Sequence, residues 1–254
     1  MNDDFIVTVY VIVDETMRAL EHRSHPLARV SDAEVLTVAV VAAKYFANNQ
    51  ERALQVMHLG RYLAGPLSAS RFNRRLHALA DWLELILATL GELFARGEAY
   101  LLDSMPGRAY CGYCAAKKEK FFGWRLHLLC TAGGVPVAFD VVPGRHHDLT
   151  PVHELAYGLP AGAAVYADKA YNSAADEASI LADTDVRLVP IRKANMRPND
   201  WADTLALRAY RRRIETVNSQ LAAMGIQQLH VRTNQGRALK IQAALLAVTC
   251  TNAA

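Results

Sequence analysis

Apolar positions return every three or four places along the first hundred residues. Ile6, Val9, Tyr10, Val13, Met17 and Leu20 keep that spacing past Asp14, so the Val- and Ile-rich run after Phe5 reads as a helix despite its strand propensity. Ser31, three places before Glu34, is a capping-box signature for a second helix from about Asp32 to Asn48. Gly65-Pro66 breaks the chain before a short basic helix, Ser68 to Leu79. Leu83, Ile86, Leu87, Leu90 and Phe94 then stripe a further helix that ends near Gly97. The expectation is an all-α domain over residues 1–97.

Beyond Gly97 the period becomes that of strands. Ala99 to Leu102 is a short apolar run halted by Asp103, Ser104 and Pro106. Trp124, Leu126, Leu128 and Cys130 fall on alternate positions, a Gly133-Gly134 turn follows, and Val135, Val137, Phe139 and Val141 alternate in turn, which predicts a hairpin. A helix from Asp148 to Tyr157, a buried strand from Ala163 to Ala167 and a helix from Ala174 to Ala182 come next. They are followed by a strand from Val186 to Ile191, a long helix carrying Leu207, Tyr210, Ile214, Val217, Leu221 and Met224, and a last apolar helix from Leu239 to Cys250. This order predicts an α/β domain over residues 98–254, a mixed sheet flanked by helices.

Composition narrows the class. A chain of 254 residues that is 52% hydrophobic and 21% charged can bury a sizeable core. No apolar run approaches the roughly 18 to 20 residues of a membrane span, and the acidic start at Asp3 and Asp4 lacks the basic region of an export signal, so a cytoplasmic protein with four reduced cysteines is expected. The net charge of +3 hides an asymmetry. Between Arg187 and Lys240 eleven Lys or Arg face three acids. A nucleic acid and a solvated helix face both suit that stretch. Arg71, Arg74 and Arg75 share one side of the short helix behind Ser68 and Ser70, the pattern of a DNA-recognition helix and equally of a solvated basic one.

Three carboxylates stand out by position. Asp103 and Asp168 each follow a buried apolar run, at the sheet edge where open α/β folds place ligands. Glu215 flanks the apolar stripe of the long helix. Gathered carboxylates repel one another unless a divalent cation neutralises them, and Mg²⁺ takes oxygen ligands where Zn²⁺ would want His or Cys. A turn or helix cap for the two aspartates and a salt bridge from Glu215 to Arg211 or Arg212 are the structural alternatives. Asp148, after His146 and His147, is either a fourth carboxylate of the site or the N-cap before Leu149. Cys111 and Cys114 form a CxxC with no second pair, and His127, His146 and His147 lack the spacing of zinc ligands, so packing or chance accounts for the pair. His127 reads as a packed strand histidine.

Five segments carry a resemblance: Tyr100–Pro106 (YLLDSMP), Lys120–Leu129 (KFFGWRLHLL), Pro143–Asp148 (PGRHHD), Ala167–Tyr171 (ADKAY) and Arg212–Glu215 (RRIE). Their order resembles that of bacterial insertion-sequence DDE transposases, most closely insertion-sequence family nine-eighty-two, which the helical front also resembles at Val35–Thr37 and Ser70–Leu76. The resemblance implies a ribonuclease H-like catalytic domain behind a DNA-binding helical domain, and two Mg²⁺ or Mn²⁺ ions held by Asp103, Asp168 and Glu215. It implies cleavage at transposon ends and transfer of the freed 3′-hydroxyl into target DNA, by a homodimer acting on double-stranded DNA in the nucleoid, away from any membrane. Expected DNA contacts are Arg71, Arg74, Arg75, Lys117, Lys118, Lys120, Arg125, Lys169, Arg192, Lys193, Arg208, Arg211, Arg212 and Arg213, with Asp148 and His147 as further site residues. Relatives around insertion sequence four carry Tyr, Arg, Glu and Lys on the last helix; here Arg211 matches the Arg, while Arg208 and Ala222 replace the Tyr and the Lys. A nuclease of the same fold, or a DNA-binding regulator with an inactive catalytic fold, are the competing functions.

Overall fold

Side-chain caps fix where the front helices begin. The computed structural model describes residues 1–114 and 119–253, with side chains outside 108–122. Asn2 accepts from the Asp4 amide and starts α1 (Asp3–Ala19). The Ser31 hydroxyl and the Glu34 carboxylate close a reciprocal capping box on α2 (Asp32–Phe46). Asn49 opens α3 (Gln50–Leu59), a helix that the apolar spacing did not predict: it buries only Ala53, Leu54 and Met57, too sparse a stripe to read. Ser68 caps α4 (Ala69–Ala78), and α5 (Ala80–Phe94) follows.

Residues 1–89 and 220–254 form one compact unit, and residues 90–219 a second. The last helix, α9 (Asn234–Asn252), which the expected division at residue 97 groups with the sheet, packs here against α1, α2 and α4. The physical reason is that α2 buries every residue from Val35 to Ala43, so it needs cover on more than one side. α9 is itself buried from Leu245 to Cys250 and supplies that cover. Among the described residues no helix is long and apolar enough to cross a membrane.

The second unit holds the expected mixed sheet flanked by helices. Its order is β3-β2-β1-β4-β5, with β1 (Ala99–Cys114), β2 (Glu119–Thr131) and β3 (Pro136–Pro143) antiparallel. β4 (Ala164–Ala167) and β5 (Arg187–Pro190) run parallel to β1. The β2–β3 turn uses Gly134 at φ +83°, where a Cβ would also strike the Arg213 side chain at 2.9 Å. On one face Tyr100, Leu102, Leu129, Val165 and Leu188 pack with α6 (Val152–Tyr157) and α7 (Ala174–Thr184). The other face meets α8 (Trp201–Ala223), where the Tyr166 and Tyr210 rings lie 5.2 Å apart.

Two local expectations change. β1 does not stop at Leu102 but continues through Asp103, Ser104 and Pro106 to Cys114. Its pairing with β4 ends at Leu102, so Pro106 sits where one side of the strand has no neighbour and the missing amide costs little. α6 begins at Val152 after Pro151, so Asp148 caps no helix.

Candidate active site

Alternation along the strands decides which side chains share a face. The parallel pairing of β1 with β4 ends at Leu102↔Ala167, and the next residues are Asp103 and Asp168. Successive strand positions point to opposite faces, so Asp103 joins Leu101 and Met105 on the α8 side, and the extended backbone of Asp168 (ψ 172°) carries it to the same side as Tyr166. One cleft is lined by Asp103, Asp168 and Glu215 together with Tyr166, Tyr210 and Arg211.

The three acids differ in surroundings. Asp103 is half-buried; its Oδ1 accepts from the Ser104 amide at 2.8 Å and its Oδ2 from the Asn218 side-chain amide at 2.7 Å. Burial pushes its pKa up to about 6, with the charges of Asp168 and Asp148 adding to the rise and the two hydrogen bonds opposing it. Asp168 is exposed and heads a short 3-10 turn, Lys169–Tyr171, but its carboxylate makes no capping bond there, so the capping alternative does not hold. Glu215 is exposed and accepts from Arg211 Nε at 2.9 Å, one helical turn back, which is the ion-pair alternative realised. The three therefore line one cleft without meeting at one point. Among the described residues no group of three or more His, Cys, Asp or Glu is close enough to hold a metal ion. Like charges without a counter-ion keep apart, and Glu215 finds a cation on its own helix.

Behind Asp103, on the opposite face of β1, a polar cluster crosses the sheet. Ser104 pairs in register with His127, and Pro106 with Arg125, so alternate residues of both strands face one way. Asp148 takes an ion pair from Arg125 and a hydrogen bond from the Ser104 hydroxyl at 3.2 Å. His127 is fully buried, its Nδ1 2.9 Å from the Tyr171 hydroxyl, and burial lowers its pKa to about 4. The reading of His127 as packed is borne out. Its Nε2 lies 3.9 Å from Asp148 with no hydrogen-bond partner among the described residues. Asp148 thus acts on Asp103 through its charge from the other face of β1, whereas His147 is exposed on the loop before it.

Several expected DNA contacts are engaged within the protein. Arg75 pairs with Asp32 and donates to the Val30 carbonyl at 2.8 Å; Arg125 is held by Asp148; Arg192 grips Glu177 through two bonds of 2.6 and 2.7 Å. A half-buried guanidinium needs a partner, which sequence position alone does not reveal. Arg71, Arg74, Lys169, Lys193, Arg208, Arg212 and Arg213 are exposed, and Arg29 joins Arg71 and Arg74 along one open concavity of the first unit. Lys117 and Lys118 lie outside the described residues, as do the side chains of Lys120, Cys111 and Cys114. Asn218 was not anticipated; its only signal was its place one turn beyond Glu215.

A family model, the transposase DDE domain, matches residues 96–250. Among curated proteins none matches the sequence. Among solved structures, the crystal structure of the Mos1 mariner paired end complex with Mn aligns over 84% of this chain and 86% of that chain. Its identity is 10% and its TM-score 0.23, too loose a likeness to carry an argument.

Proposed function

We infer that this chain, which belongs to the transposase DDE domain family, cuts DNA at the ends of a mobile element and joins the freed 3′-hydroxyl to target DNA. The observation that carries the reading is the placement of Asp103 and Asp168 side by side beyond the last β1–β4 pair, in one cleft with Glu215.

The donor set suits two divalent cations, Mg²⁺ or Mn²⁺. Burial and the neighbouring Asp168 charge raise the Asp103 pKa, the signature of negative charge lacking a counter-ion, and every donor is an oxygen. Asp103 and Asp168 would hold the ions, and Glu215 would complete the set after leaving Arg211. When bound, such ions activate the attacking oxygen and stabilise the leaving one. The chain's own residues do the rest. Asn218 and the Ser104 amide fix the Asp103 carboxylate, while Lys169, Arg208 and Arg212 offer phosphate contacts around the cleft. In the first unit, Arg71 and Arg74 of α4 with Arg29 would grip duplex DNA, and a homodimer would bring two ends together.

The test is cleavage of duplex DNA carrying the element's ends by the full chain with Mg²⁺. Asp103→Asn, Asp168→Asn and Glu215→Gln should each abolish cutting and leave DNA binding in place. Cutting retained in any of them removes that residue from the site. Pre-cut ends supplied with a target duplex test joining separately.

A further inference from the structure

One face of α8 is left bare beside the cleft. Trp201 is 80% exposed and Leu205 52% exposed, and both are carried by the first turns of the helix. Leu205, Arg208 and Arg212 lie four, seven and eleven residues beyond Trp201, so all four share one stripe about 60° wide. Arg208 and Arg212 are exposed and make no ion pair among the described residues, unlike Arg211, which Glu215 holds. Glu215 continues the stripe at its far end and lines the acidic cleft, roughly 20 Å along the axis from Trp201.

We propose that this stripe is the track for the DNA strand entering the cleft, with Trp201 stacking on an unstacked base and Arg208 and Arg212 taking its phosphates. The proposal rests on the DNA-cutting reading above and adds the contact that the reading lacks, a surface for bases. A protein partner would fit an apolar patch. Here the two apolar residues are followed along the stripe by two uncompensated cations, which offers a base a stacking surface and its phosphates a charge, as single-strand binding surfaces do. A large aromatic ring left in water also costs free energy that a base would recover. The free cations complement a polyanion, and the stripe leads directly to the carboxylates that would act on it.

The experiment uses the full chain and two fluorescent probes, an oligothymidylate of about 15 nucleotides and a duplex of about the same length. Trp201→Ala should weaken oligothymidylate binding about 5- to 50-fold at fixed salt and leave the salt slope unchanged, and Trp201→Phe should restore most of the affinity. Replacing Arg208 and Arg212 together by Ala should lower the slope by about 1.4. Wild-type affinity in Trp201→Ala overturns the proposal. So does a smaller assembly in that variant with unchanged DNA affinity, which would make the stripe a contact between copies. Wild type that binds neither probe overturns this proposal and the DNA-cutting reading together; binding that persists while cleavage is never seen strikes the latter alone.

Discussion

Asn218 donates its side-chain amide to Oδ2 of Asp103 at 2.7 Å, bringing α8 onto β1 at the cleft. Glu215 sits one turn earlier on the same helix, yet Asn218 is the α8 residue that touches Asp103. A donor aimed at a carboxylate favours its ionised form and opposes the rise that burial imposes.

Removing that donor should therefore act on the pH profile. In Asn218→Ala, Asp103 loses one of its two hydrogen bonds, and its pKa climbs further above about 6. The acid limb of Mg²⁺-dependent cleavage should move up by as much as roughly one pH unit. Asn218→Gln should lie between the two. An acid limb unmoved in Asn218→Ala would remove the hydrogen bond from the account.

Asp103 should also weaken the metal-free protein at neutral pH. Its folded pKa near 6 lies above the unfolded value, so its contribution is fully present below pH 4 and is lost as pH rises through 6. With a chelator present, Asp103→Asn should melt above wild type at pH 8, by on the order of 2 kcal/mol, and lose that advantage near pH 4. Comparison with the variant isolates Asp103 from His127, whose lowered pKa removes stability as pH falls from about 6.5 towards 4. Added Mg²⁺ or Mn²⁺ should raise the melting temperature of wild type and leave the variant nearly unmoved.

Arg125 and Asp148 should prove structural. Their ion pair is largely shielded, with side chains 14% and 16% exposed, and truncating one partner strands the other. Arg125→Ala should cost about 2 to 4 kcal/mol in chemical denaturation and leave the salt dependence of DNA binding intact. A reduced salt slope with unchanged stability would return Arg125 to the DNA surface.

On α4 the same contrast separates neighbours. Arg71→Ala and Arg74→Ala should each lower the salt slope of duplex binding by about 1 with stability within about 0.5 kcal/mol. Arg75→Ala breaks the contact with Asp32 and Val30, and should show mainly as a lowered unfolding midpoint.

How far the sequence could be read depended on how local each signal was. The capping box at Ser31, the Gly133-Gly134 hairpin and the stripe of α8 depend on residues a few places apart, and each formed as expected. Asp103 and Asp168 stood out because each follows a buried apolar run. β1 ran past its expected end because strand pairing with β2, distant in sequence, outweighed the local breakers at Ser104 and Pro106. α3 escaped notice because three buried residues make too weak a stripe.

By itself, then, the sequence determined the order of elements, the places of Asp103 and Asp168 just past buried apolar runs, and the family motifs, since all of these are carried by near neighbours along the chain. Only the tertiary structure decided the partners of the charges. Asp148 went to Arg125 and Ser104 instead of a helix cap, Arg192 to Glu177, and Asn218 to Asp103 across 115 positions. It also decided that α9 covers α2. The reason is common to all of them. A buried or half-buried polar group takes the complementary group that the fold brings within about 3 Å, and that proximity is set by sheet register and helix packing, not by distance along the chain.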